Sequence, residues 1–270
     1  MGNVIEDPKE SKTMSRKEEI ENYKKHVKAI SNDKDIIPGI HNYCDRWCEK
    51  CTYTKYCSVF KMEQIDKVKG SNEDTDLNNQ KFWDQLSLTF DATLDMISEE
   101  AKKLGIDLDE VAKEELFEQE KPKKSDAEMR SYDYGTKVFK WLKANKAFFE
   151  SKGQSLLTIG NEKVIPFTEA LEVVNWYSIF ISAKIHRAFH NSIIDFGDPI
   201  QNDNNGSAKI ALMGIERSME ALSILIEQIP EKEDEILDFL ISLAQIKRKM
   251  ENQFPDAAKF IRPGFDDEKI

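Results

Sequence analysis

Apolar residues recur every three or four positions over most of the chain, which is the spacing that places them on one face of an α-helix. The clearest stretch runs from Phe82 to Leu104 and stops before Gly105, a residue type that favours helix C-termini. Runs that alternate apolar and polar residues are scarce. The one exception is Leu156 to Ile165, where Gly160-Asn161 predicts the turn of a short hairpin. The pattern therefore predicts an all-α protein.

Start and stop signals divide this pattern into a helical bundle. Ser125 and Glu128 form a capping box at the beginning of one helix. The helix from Thr168 to about Ser192 is apolar on most sides, which predicts the most buried position in the bundle. In chain order, the predicted helices are Ser15 to Ile30, Phe82 to Leu104, Asp107 to Gln119, Ser125 to Ser151, Thr168 to Ser192, Ser207 to Ile229 and Glu231 to Phe254.

Composition changes along the chain predict three parts. Residues 1–35 form a flexible tail and a short helix, residues 36–70 form a cysteine-containing metal-binding module, and residues 80–270 form the helical bundle. The polar stretch from Gly70 to Asn79 is a linker between the last two parts.

Charge and hydropathy narrow the classes of function. The 50 acidic residues exceed the 39 basic residues and give a net charge of −11. This excess disfavours nonspecific nucleic-acid binding, which needs a cationic face. The chain contains no apolar run long enough for a membrane span, and its first 35 residues lack the apolar core of a signal peptide. We therefore expect a cytoplasmic protein whose partner is another protein or a second copy of this chain.

All four cysteines lie within 14 residues, in the pattern C-x3-C-x2-C-x5-C formed by Cys44, Cys48, Cys51 and Cys57. A disulfide framework would suit a small secreted domain, whereas clustered thiolates in a cytoplasmic protein bind zinc or iron–sulfur clusters. The spacing therefore predicts one metal centre bound by the four cysteines. His41 is a weaker candidate that could replace one cysteine or donate a hydrogen bond from behind the ligands.

The aromatic residues Tyr43, Trp47 and Tyr53 and the cation Arg46 surround these cysteines. We expect them to form a shell that excludes solvent from the metal, with a docking surface for a partner as the alternative.

The stretch Cys48-x2-Cys51-x5-Cys57, with Tyr53 and Tyr56 between its last two cysteines, resembles the cluster-binding segments of two unrelated groups. These are the auxiliary cluster domain of some radical-SAM maturases and the iron–sulfur clasp of certain recombination and CRISPR-associated nucleases. The resemblance implies a [4Fe–4S] cluster, and Zn²⁺ remains the alternative because thiolates bind both.

The spacing Cys44-x3-Cys48-x2-Cys51 also matches the radical-SAM motif. In that family three cysteines bind the cluster and one iron stays open, whereas Cys57 would fill the open position here. The chain also does not alternate strands and helices as a (β/α) barrel does, so we reject radical-SAM chemistry.

Two short stretches, Cys-Asp-Arg-Trp-Cys-Glu-Lys-Cys at 44–51 and Asn-Gly-Ser-Ala-Lys at 205–209, are similar to those of a group of uncharacterised bacterial helical proteins with a four-cysteine metal motif. This resemblance implies the presence of a metal motif and no particular activity.

His186 and His190 are four residues apart and share one helix face. They are weaker candidates for metal binding, with Glu216 and Glu220 as the available carboxylates on the next helix. The alternative is that the two histidines end their helix and favour its negative C-terminal dipole. Arg217 lies among apolar positions and is expected to pair with Glu172 or Glu169, or to extend outward.

Two classes of function fit these observations. The first is a cytoplasmic metal-binding protein that acts in binding, redox sensing or protein interaction. The alternative is a metal-dependent oxidoreductase or hydrolase with a site among the central helices. The sequence contains no complete catalytic constellation, which favours the first class.

Overall fold

A computed structural model describes residues 14–68, 79–115, 123–158, 160, 162, 164–190 and 197–266. Within these residues the structure is 79% helical and contains no strand, which confirms the predicted all-α class. None of the described helices is long and apolar enough to cross a membrane. The predicted tail before Met14, most of the linker from Gly70 and the end of the helix predicted to reach Gln119 lie outside the described residues.

The chain divides into two compact units, and the division differs from the predicted one. The first unit comprises residues 1–38 and 50–120, and the second comprises residues 39–49 and 121–270. The predicted cysteine module is therefore shared between the units, and the predicted bundle loses its first two helices to the first unit.

The first unit is built on two helices that pack around a buried ammonium group. Its described helices are α1 Arg16–Ser31, α2 Ser58–Val68, α3 Gln80–Leu104 and α4 Leu108–Glu115. Lys24 on α1 is 2% exposed and its Nζ contacts Asp95 and Glu99 of α3 at 2.7 and 2.5 Å. Hydrogen bonds that the Lys24 ammonium donates to Asp95 and then to Glu99 outweigh the effect of burial and raise the pKa of Lys24. The ion pairs thus keep this buried side chain charged.

The second unit contains the main hydrophobic core. Its described helices are α5 Asp126–Ala144, α6 Lys146–Thr158, α7 Val164–His190, α8 Asp203–Gln228 and α9 Glu233–Gln253. The helix α8 buries thirteen residues and α7 buries nine, so the expectation that α7 is the most buried helix is wrong. The reason is that α7 leaves Ile165 and Ile179 exposed, at 62% and 63%, on the side away from the core.

Glycine allows α5 and α7 to cross at close range. A Cβ atom added to Gly135 of α5 would lie 2.3 Å from the Ser178 carbonyl oxygen of α7. No side chain can occupy that space, and the close crossing brings the N-terminal end of α5 to the C-terminal half of α7.

Several predicted helix ends are confirmed. Ser15 caps α1, Gly105 ends α3 with a φ of 69°, and Ser125 and Glu128 form the predicted capping box of α5. The N-cap of α8 is Asn202 instead of Ser207, which lies inside the helix and is fully buried.

The predicted hairpin from Leu156 to Ile165 is wrong. Leu156 belongs to α6, and α7 begins at Val164 with Pro166 in its first turn, where proline is compatible with a helix. The Gly160-Asn161 signal therefore marks a helix–helix connection. The single helix predicted from Ser125 to Ser151 is divided by Asn145, which caps the end of α5.

The close crossing of α5 and α7 gives a direct test. We expect Gly135→Ala to lower the free energy of unfolding by about 1–3 kcal/mol, because the new methyl group meets rigid backbone. Gly153→Ala is the matched control, since its Cβ would have only an ordinary contact with Phe167 at 4.0 Å. We expect the control to raise stability by about 0.5–1 kcal/mol in chemical denaturation. Equal effects of the two substitutions would contradict this account of the crossing.

Candidate metal-ligating sites

Of the four predicted cysteine ligands, Cys48 begins a short helical turn and the other three lie between helical elements. The boundary between the units passes through this stretch. Cys44 and Cys48 belong to the second unit, and Cys51 and Cys57 belong to the first. All four are free of disulfides and partly exposed. Ligation of one centre by all four cysteines stays a prediction.

One cysteine in each unit accepts a hydrogen bond from the backbone two residues later. The Tyr53 amide donates to the Cys51 sulfur at 3.4 Å, and the Arg46 amide donates to the Cys44 sulfur. Arg46 has a φ of 59°, a left-handed conformation that costs a residue other than glycine about 1–2 kcal/mol. Amide donors of this kind stabilise thiolates, whether they bind zinc or a cluster.

The surroundings of Cys44 combine burial with positive charge. Burial raises the pKa of the Cys44 thiol, while the Arg46 amide and the charge of Lys184 act in the opposite direction. Lys184 is 8% exposed, and burial lowers its pKa to about 8. Its Nζ donates to the Asn42 carbonyl oxygen at 2.7 Å. A metal that binds Cys44 would therefore have to displace the thiol proton. The adjacent cations would stabilise the Cys44 thiolate that results.

His41 lies beside Cys44 and has a buried nitrogen. The Cys44 sulfur contacts the His41 carbonyl oxygen at 3.5 Å, and Nδ1 of His41 is buried without a hydrogen-bond partner among the described residues. Burial, followed by the charges of Arg46, Arg187 and Lys184, lowers the pKa of His41 and favours its neutral form. A neutral imidazole is the form that binds metals, so His41 remains a weaker candidate for a metal ligand.

The residue before the first cysteine is held by a buried ion pair. Tyr43 donates to Asp203 at 2.9 Å, and Arg187 donates to both carboxylate oxygens of Asp203 at 3.0 and 2.6 Å. Asp203 is fully buried at the beginning of α8. A Cβ atom on Gly206 would lie 2.4 Å from the Tyr43 ring, so this position must be glycine for Tyr43 to reach Asp203. Tyr43, directly before the stretch at 44–51, therefore packs against Gly206 of the stretch at 205–209.

The residues between Cys44 and Cys48 form a second anchor. Asp45 accepts hydrogen bonds from Tyr177 at 2.7 Å and from Arg217. The Asp45 carbonyl oxygen accepts from the Trp176 indole at 2.9 Å, and Trp47 stacks on Trp176 with ring centroids 5.1 Å apart. The predicted pairing of Arg217 with Glu172 or Glu169 is therefore replaced by a contact with Asp45.

A separate group of metal-ligand atoms lies between α5 and α7. Oε1 of Glu128 lies 2.9 Å from Nδ1 of His186 and 2.7 Å from Nε2 of His190. Glu128 is 5% exposed, whereas the side chain of His186 is 62% exposed. Burial would raise the pKa of Glu128, but hydrogen bonds from Ser125 and the two imidazoles together lower it. The carboxylate therefore stays charged beside the histidines.

The carboxylates predicted to accompany His186 and His190 have other surroundings. Glu216 forms an ion pair with Lys247 at 2.9 Å, and Glu220 is exposed. The sequence identified Glu128 as a helix cap but did not connect it with the histidines, because the contacts join residues 58 and 62 positions apart.

A third cluster, formed by Glu21, Asp95 and Glu99, already contains a cation. Their carboxylate oxygens lie within 4.8 Å of one another and surround Nζ of Lys24. The ammonium group supplies the positive charge that a metal would bring, so these acids are a structural ion-pair cluster.

Comparison with known proteins gave no match among protein-family models, curated proteins or solved structures.

The buried ion pair beneath Tyr43 generates a prediction. We expect Asp203→Asn to lower the free energy of unfolding of the second unit by roughly 2–4 kcal/mol, because Arg187 would keep its charge without a carboxylate. Residues 39–49 should also exchange their amide hydrogens faster. Asp238→Asn, at an exposed position on α9, is the control and should change neither measurement. Unchanged exchange in 39–49 would show that the pair does not hold this segment.

Proposed function

We propose that this protein binds one metal centre, a [4Fe–4S] cluster or Zn²⁺, through Cys44, Cys48, Cys51 and Cys57. It acts in binding, redox sensing or protein interaction, and the metal fixes the conformation of the segment that carries the cysteines. The observation that carries the proposal is the presence of all four cysteines, free of disulfides, within 14 residues. Clusters of this type are typical of metal sites in proteins outside the secretory pathway.

The contacts of residues 39–49 support this proposal because the other side chains already have structural partners. Tyr43, Asp45 and Trp47 contact α7 and α8, so they hold the backbone that carries Cys44 and Cys48. Cys44 also lines a cavity of about 120 Å³ in the second unit. The segment is thus anchored by residues other than its cysteines.

The local conformation gives a second line of support. The cysteine stretch consists of three-residue helical turns, at Cys48–Lys50 and Thr54–Tyr56, which have no buried residues of their own. Such short turns cannot form a hydrophobic core, and four metal bonds would supply the missing free energy. The left-handed Arg46 supports the same view, since strained residues persist where a site requires them.

An apolar stripe on α3 supports the interaction part of the proposal. It consists of large side chains that are 44–66% exposed: Trp83, Phe90, Leu94, Ile97 and Leu104. The middle of the stripe is near Leu94. Trp83 and Leu104 lie at equal distances on either side of it, and so do Phe90 and Ile97. An antiparallel second copy of α3 would therefore place Trp83 against Leu104 and Phe90 against Ile97 of the other chain. The same alignment brings Asp84 near Lys102 of the other copy, so we propose a homodimer through this stripe.

Loss of two central cysteines tests the metal centre. Replacing Cys48 and Cys51 together with Ser should remove the metal bound at the cysteine centre, because two thiolate ligands are removed. Helical circular dichroism should be largely retained, since the helices have their own apolar contacts. Proteolysis within residues 38–60 should become faster. Metal analysis and an absorption spectrum of anaerobically purified protein are the measurements, and visible absorption distinguishes a cluster from zinc.

Thr52→Ala is the matched control, because Thr52 is an exposed residue directly after Cys51. Its metal content should equal that of the native chain. Full metal content in the double cysteine variant would contradict the proposal, and loss of helicity throughout would show that the cysteine segment holds the helices together.

A negative charge added to the apolar stripe of α3 tests the proposed homodimer. We expect Leu94→Glu to weaken dimerisation at least about tenfold, because the carboxylates of both copies would meet at the centre of the stripe. Thr93→Glu adds the same charge at the adjacent exposed position, outside the stripe, and should have little effect. Sedimentation equilibrium measures both variants, and a native chain that stays monomeric at high concentration would refute the dimer.

A further inference from the structure

We infer that Glu128, His186 and His190 form a second metal site, independent of the cysteines, for a divalent first-row transition-metal ion such as Zn²⁺. The three side chains offer two imidazole nitrogens and one carboxylate oxygen, all within 4.8 Å of one another. Zinc, iron and nickel favour this mixed set of donors, whereas calcium and magnesium prefer oxygen ligands alone.

The distances suit ligands of a common ion. Oε1 of Glu128 lies 2.9 Å from Nδ1 of His186 and 2.7 Å from Nε2 of His190. Ligand atoms around one tetrahedral zinc ion, with bonds near 2.1 Å, are about 3.4 Å apart, so each nitrogen would have to move away from the oxygen by about 0.5–0.7 Å. The imidazole rings are also close, with centroids 4.4 Å apart. Only small side-chain movements would be needed to admit the ion.

The carboxylate is fixed before any metal binds. Oε2 of Glu128 accepts a hydrogen bond from the Ser125 amide at 2.7 Å, and the Glu128 amide donates to Ser125 Oγ at 3.2 Å. The capping box thus commits one carboxylate oxygen to the helix end and directs the other toward the histidines. A buried, charged and oriented oxygen of this kind is a preorganised ligand.

The same distances also fit two hydrogen bonds from the imidazoles to Glu128. Binding of a metal would convert this hydrogen-bonded state into a metal-bound state. In the hydrogen-bonded state Nδ1 of His186 and Nε2 of His190 carry hydrogens. When a metal binds, these two hydrogens must leave the nitrogens that become ligands, either to the other nitrogen of the same ring or to water, and the ion then takes the place of the two hydrogen bonds.

Access to the site comes from the side of α5 and α7. Glu128 and His186 both line an open cavity of about 780 Å³, which is bordered by Lys124, Lys140 and Lys143. Three protein ligands leave at least one coordination position for water or another molecule, as in zinc sites that do chemistry. The lysines would favour an anionic molecule at that position.

The test uses the full chain with Cys48 and Cys51 replaced by Ser, so that the proposed cysteine centre is disabled. Zn²⁺ affinity is measured by competition with a chromophoric chelator, and Co²⁺ serves as a spectroscopic probe. We expect one Zn²⁺ per chain in this background and a Co²⁺ spectrum without the charge-transfer band of a sulfur ligand. Adding His186→Ala and His190→Ala should weaken binding by at least about tenfold, since even residues behind the ligands contribute that much.

Two further variants keep the result interpretable. Glu128→Gln preserves the capping box, in which Gln replaces Glu, but removes the ligand charge, so it should lower Zn²⁺ affinity without unfolding α5. His26→Ala removes a histidine on α1 and should leave affinity unchanged. Equal affinity with and without His186 and His190, or no Zn²⁺ uptake by the folded chain that carries Ser at positions 48 and 51, would overturn the inference. Either result would leave the cysteine centre unaffected, because that centre is measured as the metal lost when Cys48 and Cys51 are replaced.

Discussion

The fully buried carboxylate of Asp203 is the interaction on which the position of residues 39–49 depends. It joins Tyr43, beside the first cysteine, to Arg187 near the end of α7 and to the first turn of α8. The absence of a side chain at Gly206 gives Tyr43 the room to reach it. Together with the contacts of Asp45 and Trp47, this ion pair gives the short segment a defined conformation that its own length could not provide.

A buried ion pair is a costly way to gain stability, since well-packed apolar side chains often do as well. In this protein the ion pair stabilises one particular position of the segment that contacts it. Arg187 donates to both oxygens of Asp203 and keeps this carboxylate in place, and Tyr43 donates to it, so slipping the segment by one residue would leave the buried Tyr43 hydroxyl without this acceptor. The anchor therefore selects one register for the residues between the first two cysteines. The choice of register matters for Cys44 and Cys48 as proposed ligands, because a metal site tolerates only small errors in the positions of its ligands.

The sequence predicted features that depend on neighbouring residues. The beginning of α1 at Ser15, the capping box at Ser125 and the end of α3 at Gly105 follow from local hydrogen bonding and backbone conformation, and the structure has all three. The hairpin prediction failed because Gly-Asn signals a tight turn without specifying which elements it joins. The helix α2 was not predicted, because it is only 11 residues long, begins immediately after Cys57 and has no pronounced apolar face.

Contacts between distant residues could not be predicted from one sequence. Asp45 and Arg217 are separated by 172 positions, and nothing in the local pattern of either residue specifies the other. Glu128 illustrates the same limit, since the capping box accounts for only one of its two carboxylate oxygens. The proposed histidine site becomes visible only when the crossing of α5 and α7 brings the second oxygen to His186 and His190.

The central claim is that the four cysteines bind one metal centre, and thiol protection tests it most directly. The native full chain, purified without oxygen, would be treated with an alkylating reagent before and after removal of metal by a chelator, and modified cysteines would be located by mass spectrometry. The account predicts that Cys44, Cys48, Cys51 and Cys57 are protected together and that all four become reactive when chelation removes the metal. Four cysteines that react at once in freshly purified, metal-free protein would contradict it.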